Sequence, residues 1–374
     1  MKQVYLDNAS TTAMRPEVIQ AMTDCMLQDY GNPSSTHSLG RHAKSVLELS
    51  RKSIATFLNV TAQEILFTSG GTEANNWILR SAVKDLKVKR IISSKMEHHA
   101  VLYPIMALQK EFGIEVDYAK NTPDGSIDLT HLAGLLANSQ EKTLVSLMHI
   151  NNETGVILDL ERVAQICKEA KALFHSDTVQ SIGKMAIDLQ KLPIDFVVSS
   201  AHKFHGPKGV GFIFVRKNSG LQPLFFGGEQ EKGLRSGTEA LHQIVGMTKA
   251  LELSNSNLAK EFEHISAIKK YAIAQLESHF LGIKINGANT FCAILNVQLP
   301  FSEDKTAMIL FQLDMKGVFV SRGSACQSGS TRPSHVLAEM LTATELQNPS
   351  LRISFSHFST KDDVDSLVKA LRSI

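Results

Sequence analysis

Two stretches, His175-Ser176-Asp177-Thr178-Val179-Gln180 and Ser199-Ser200-Ala201-His202-Lys203, put a carboxylate and an amine each at the end of an apolar run. An amine that forms a Schiff base with an aldehyde, and a carboxylate that keeps a pyridine nitrogen protonated, are the two groups pyridoxal phosphate requires. Asp177 and Lys203 supply both. A single aspartate or lysine is most often a solvated surface charge, so the weight falls on the neighbours. Ile194-Asp195-Phe196-Val197-Val198 reads as a buried strand, and Gly206-Pro207-Lys208-Gly209 turns the chain directly after the lysine. An amine withdrawn from water there has its charged form disfavoured, which suits imine formation.

Further groups fit the same chemistry. Ser69-Gly70-Gly71-Thr72 stands between the apolar Ile65-Leu66-Phe67 and a helical stretch from Glu73 to Leu86. Free N–H groups at a helix start beside a hydroxyl make a phosphate corner. No Gly-Lys-Ser/Thr follows, so it is not a Walker loop, and the plain alternative is a glycine turn with Thr72 as N-cap. His98 follows Ile91 to Glu97 near a strand end, where an imidazole can stack on a planar ring and move protons near neutral pH; His99 competes for the role. Arg352 alternates with apolar residues in Ser350 to Ser356, so it points to one side of a strand, either into water or onto a carboxylate.

Three of the four cysteines have apolar settings and read as core: Cys25 with Val18 and Met22, Cys167 with Val163 and Ile166, Cys292 within Phe291 to Leu295. Cys326 differs. Gly323, Ser324, Ser328, Gly329 and Ser330 surround it without helical or strand periodicity, so its thiol is available for chemistry. No Cys-x-x-Cys or Cys/His pairing has zinc spacing, and neither a disulfide framework nor a metal site is expected.

These groups need elements to carry them. Strand-like runs at Arg90 to Ile92, Thr143 to His149, Phe196 to Ser200 and Val210 to Val215 alternate with amphipathic helical stretches. One helical face runs through Ala43, Val46, Leu47, Ile54, Phe57 and Leu58, another through Leu160, Val163, Ile166, Cys167, Ala170 and Leu173. The alternation predicts an α/β domain with a mostly parallel sheet covered on both faces. Beyond about residue 250 a long helix around Glu261 to Phe280, strands near Phe291 to Leu299 and Leu351 to Ser356, and a final helix from Lys361 predict a smaller α+β domain. The 374 residues and 43% hydrophobic content accommodate both. Lys plus Arg number 39 against 37 Asp plus Glu, which argues against direct nucleic-acid binding, and Lys87, Lys89 and Arg90 read as a solvated face. No signal pattern and no membrane-length apolar stretch is seen, so a cytoplasmic protein is expected.

Taken in order, Tyr5-Leu6-Asp7-Asn8-Ala9-Ser10-Thr11-Thr12, Gly31-Asn32-Pro33-Ser34-Ser35, Thr68 to Glu73, Glu97-His98, Asn151-Asn152-Glu153, the Asp177 and Lys203 segments, Arg235-Ser236-Gly237-Thr238 and Gly323-Ser324-Ala325-Cys326 resemble a cysteine desulfurase of the NifS/IscS type. The resemblance runs from residue 4 to about 358. It implies the fold type I architecture of pyridoxal-phosphate transferases, with residues 16–250 as the large domain. Residues 1–15 and 251–374 would form the small domain carrying the cysteine loop and the carboxylate-binding arginine. It also implies a homodimer with active sites at the subunit interface. Thr72, Gly71, Ser200 and His202 would hold the phosphate, joined by Thr238 from the other subunit. His98, rather than His99, would stack on the ring, while Gln180 and Asn152 would meet the ring oxygen and Asn152 and Arg352 the substrate. Lys203 would carry the cofactor and move the Cα proton. Cys326 would take sulfur from L-cysteine as a persulfide, release alanine, and pass sulfur to an acceptor protein such as an iron–sulfur scaffold or a sulfur carrier.

Two departures bear on that acceptor. Arg322 stands where the long-loop group of the family commonly has a small residue, and the chain ends at Ile374 without the tail used for scaffold docking. Transfer-RNA thiolation and DNA sulfur modification therefore stand beside iron–sulfur assembly as destinations. The rival readings are a selenocysteine lyase, a class V aminotransferase that would not need Cys326, and a catalytically idle docking platform for sulfur carriers.

Overall fold

The computed structural model describes residues 3–137, 141–322 and 334–374. Strands run β1 Val4–Tyr5, β2 Ile65–Thr68, β3 Arg90–Ser93, β4 Glu115–Tyr118, β5 Thr143–Ser146, β6 Leu173–Asp177, β7 Phe196–Ser200, β8 Gly211–Val215, β9 Lys284–Ile285, β10 Ile294–Gln298, β11 Val318–Phe319 and β12 Ser350–Ser354. Seven form one sheet in the order β2-β8-β7-β6-β5-β3-β4. The pairings from β7 through β4 are parallel, and β8 runs antiparallel to both β7 and β2.

Period-2 alternation sends successive side chains to opposite faces, and both faces are dry. Ile92, Val145, Val197, Phe212 and Phe214 pack against helices Pro16–Gln28, Ser38–Phe57, Leu160–Glu169 and Leu241–Ser256. Ile91, Leu144, Phe196, Val198 and Ile213 pack against helices Gly71–Lys84 and His99–Phe112. This is the two-sided cover that the alternation of runs predicts. Two details differ. Leu173 begins β6 rather than ending a helical face, because the helix stops at Glu169 and Lys171 turns the chain with φ of 55°. Arg90 is buried rather than solvated: its Nε donates to Asp117 at 2.6 Å and its Nη1 to the Leu135 carbonyl at 2.9 Å, while Lys87 and Lys89 remain exposed.

A second core gathers Leu295, Val297, Leu351 and Ile353 from the antiparallel sheet β12-β10-β9, with helices Leu258–His279 and Lys361–Arg372. Val4 and Leu6 belong to it, and β1 pairs in parallel with β11, so the N-terminal segment is packed with the C-terminal elements. Cys25, Cys167 and Cys292 are all buried. Among the described residues no helix is long and apolar enough to cross a membrane.

The chain leaves β2, β3, β5, β6 and β7 at the same end of the large sheet. A crevice outside the carboxyl ends of such strands is where α/β folds bind ligands.

Candidate active site

That crevice is a cavity of about 260 Å³ whose lining includes Gly71, Thr72, His98, Asn152, Asp177, Gln180, Ser200, His202, Lys203 and Arg352. Ten residues named from the sequence thus converge. Thr238 does not line it: it is exposed on the loop before helix Leu241–Ser256. Cys326 lies outside the described residues. Beyond it, Ser334 Oγ donates to Glu153 and His335 Nε2 meets the Glu97 carbonyl at 2.9 Å, on the residues that adjoin Asn152 and His98 in the chain.

Asp177 closes β6 with its carboxylate fixed on both oxygens. Oδ2 accepts from Asn75 Nδ2 at 2.7 Å and Oδ1 from the Val179 N–H at 3.0 Å. Asn75 was not singled out from the sequence, although it lies one helical turn past Gly71 and Thr72 and so on their face. Lys203 ends the turn Ala201–Lys203 that follows β7. Its Nζ donates to the Ala9 carbonyl at 2.7 Å and the Ser10 carbonyl at 2.8 Å. The chain must double back directly afterwards: a Cβ on Gly206 would lie 2.9 Å from the Cβ of Ala201, which explains the glycine of Gly206-Pro207.

His98 caps helix His99–Phe112, its Nδ1 accepting from the Ala100 N–H at 3.0 Å. An accepting Nδ1 leaves the proton on Nε2. Burial lowers the imidazole's pKa, Asp177 raises it and Lys203 lowers it again, so the ring is neutral at neutral pH. His99 is engaged elsewhere, stacked on Tyr103 with ring centres 4.6 Å apart and against His335 at 4.5 Å. The carboxyl of Glu97, wholly enclosed, is pushed well above the usual carboxylate range by burial.

The Ser69-Gly70-Gly71-Thr72 corner does open a helix, but with a different cap from Thr72. Gly70 rather than Thr72 is the N-cap, with φ of 143°, and Gly71 opens the helix. A Cβ on Gly71 would sit 2.9 Å from Val179 Cγ2, so the close approach of the helix start to the β6 turn requires glycine. The one acid in that first turn, Glu73, is paired with Arg235 at 2.9 Å and accepts from the Ser69 N–H at 2.9 Å. His202 Nδ1 meets Thr11 Oγ1 at 3.2 Å, and burial, then Lys203, push its imidazole down to about 4.

Arg352 on β12 is 1% exposed, which removes the solvated-edge reading. Its Nη2 donates to Asp7 Oδ1 at 2.9 Å and Ser10 Oγ at 2.6 Å, and its Nη1 to the Asn152 carbonyl at 2.9 Å. Its Nε and the Asn152 Oδ1 are buried without a partner among the described residues. Asp7 and Ser10 escaped assignment of a role because their partner is more than 340 positions away in the chain.

The arrangement has an anion end, where a helix start leaves N–H groups unpaired beside the hydroxyls of Thr72 and Ser200. A fixed carboxylate, an amine and a buried arginine follow. The Asn75 Oδ1 and Asn152 Oδ1, without partners among the described residues, are further polar atoms for a ligand. This donor set fits pyridoxal phosphate: Thr72, Ser200 and His202 would hold the phosphate, Asp177 would face the ring nitrogen and Lys203 the aldehyde.

A family model described as Aminotransferase class-V matches residues 4–367. "Cysteine desulfurase IscS" of Dictyoglomus turgidum is 39% identical over 375 residues, covering 100% of this chain and 94% of that protein. Among solved structures, a "NIFS-LIKE PROTEIN" superposes with a TM-score of 0.91 at 34% identity, covering 100% of this chain and 99% of that one. "SspA in complex with cysteine" does so with a TM-score of 0.83 at 29% identity, covering 96% and 100%.

Proposed function

The chain belongs to the class-V aminotransferase family, among its cysteine desulfurases, and from that membership we propose that it moves sulfur from L-cysteine onto Cys326 and releases L-alanine. The observation that carries the reading is the meeting of Lys203, Asp177 and Arg352 in one cavity. Pyridoxal phosphate, when bound, supplies an aldehyde for amines and a ring that withdraws electrons from Cα.

The protein's own groups do the rest. Arg352, held by Asp7, Ser10 and Asn152, presents its remaining N–H groups to the substrate carboxylate. Asp177, clamped by Asn75 and Val179, would keep a proton on the ring nitrogen. The Lys203 amine would take the Cα proton and return it, and the neutral His98 would hold the ring. The Cys326 thiolate attacks the sulfur of cysteine. An S–S bond forms, the C–S bond breaks with its electron pair left on Cβ, and Cβ gains a proton to become the methyl of alanine. No outside oxidant is needed. Thr238, exposed and outside this chain's cavity, serves the phosphate of a second copy in a homodimer. The persulfide then passes to an acceptor protein of the iron–sulfur scaffold or sulfur-carrier kind.

The test is turnover with cysteine. Purified protein loaded with cofactor should form alanine and carry a trappable persulfide on Cys326. Cys326→Ala should lose at least a hundred-fold in sulfide release while cysteine still perturbs the bound cofactor's absorption. Sulfide release at the native rate by Cys326→Ala would reject this function.

A further inference from the structure

The amide of Gln180 is gripped from two sides. Its Nε2 donates to the Ala9 carbonyl at 2.9 Å, and its Oε1 accepts from Lys184 Nζ at 3.2 Å. The same Ala9 carbonyl accepts from Lys203 Nζ at 2.7 Å, so two lysines meet through one amide and one carbonyl. An amide nitrogen carries two hydrogens. With one engaged by Ala9, the second is left for the cavity that Gln180 lines. Reversing the amide would set Oε1 against the Ala9 carbonyl and Nε2 against the Lys184 amine, replacing two attractive contacts with two repulsive ones.

Lys184 does not line the main cavity. It keeps some exposed surface, yet its amine is turned inward to Gln180 and borders a second, smaller cavity of about 40 Å³ shared with Cys292, His205 and Glu261. Burial, and next the charge on Lys203, push that amine down to about 7. A long cationic side chain held inward against that cost needs a reason, and a surface solubility role offers none.

Resting on the reading of the main cavity as the cofactor site, we propose that Lys184 is a positioning residue that locks the Gln180 amide with an N–H toward the cofactor's ring oxygen. It touches neither cofactor nor substrate. Gln180 sets the hydrogen bond at the ring, and Lys184 sets Gln180.

A double-mutant cycle tests this with the full chain and pyridoxal phosphate as the probe. Lys184→Met, Gln180→Leu and the double variant are measured for cofactor Kd by equilibrium dialysis and for the wavelength of the visible absorption band. Each single variant should bind the cofactor about ten-fold more weakly, one hydrogen bond's worth, with a shifted band. The double variant should be no weaker than Gln180→Leu alone. Lys184→Gln, which keeps an N–H donor, should recover most of the affinity and the native band. Fold losses that multiply in the double variant, or a Lys184→Met protein with native affinity and band, overturn the proposal. Melting curves identify a variant that fails to fold, and Lys184→Ala then runs the same cycle against the same two outcomes. Native protein that binds no pyridoxal phosphate would instead overturn the site reading beneath it.

Discussion

Asp177, Lys203 and the His98-His99 pair stood out in the sequence because each sits where a buried run meets a turn, and such places expose functional groups on a rigid base; Ser200, and His98 over His99, came only from the family resemblance. Asn75 did not stand out, and Asp7 and Ser10 stood in a motif without a role, because their importance comes from partners distant in the chain. Asn75 has no motif of its own; it matters because its amide donates to Asp177 at 2.7 Å. Asn75→Leu should therefore lower kcat/KM for cysteine by about ten-fold to a hundred-fold, the range for a hydrogen bond to a charged acceptor, as read by steady-state alanine formation. Unchanged kinetics would show that Asp177 is held well enough by Val179 alone.

At the scale of elements, the parallel sheet was readable because strands buried on both faces appear as continuous apolar runs. β4 escaped because it is an edge strand with half-exposed Val116, Asp117 and Tyr118, and the end of the helix before β6 escaped because Lys171 takes a left-handed turn without glycine. Two predictions belong here. The first concerns the helix start. Gly71→Ala forces the Gly71–Lys84 helix away from Val179 by a few tenths of an ångström or more, so cofactor affinity should fall at least ten-fold while melting changes little. Dialysis and calorimetry separate the two. The second concerns β12. Arg352→Met leaves Asp7 without its cation, and since the Asp7 side chain is 21% exposed the loss should be about 2 kcal/mol, below the range for a fully enclosed pair. Urea unfolding measures it. The same variant should raise KM for cysteine, and Arg352→Lys should not restore it, because an ammonium cannot reproduce the fork held by Asp7, Ser10 and Asn152.

Across the whole molecule, buried neutral imidazoles set the acid limit. Burial pushes His149, His175 and His202 from 6.5 to about 4, and His205 to about 3. In the unfolded chain these groups take up protons near pH 6.5, while the folded chain refuses them until pH 4 or below. Between those values the unfolded state binds more protons, so stability rises with pH. The contribution is fully present above pH 6.5 and is lost as pH falls through 4. Melting temperature should decline across that window, and His175→Gln or His149→Gln should flatten the decline. A flat profile would mean that these rings are reached by water.

In the function proposed above the amine of Lys203 holds the cofactor, and the amine of Lys184 is drawn inward beside it through Gln180. Reduction of the cofactor-loaded protein with borohydride, followed by proteolysis and mass mapping, reads that directly. The predicted result is one pyridoxyl group per chain, on the peptide containing Lys203 and on no other. A pyridoxyl group on Lys184, or a reduced protein in which Lys203 is unmodified, would contradict it.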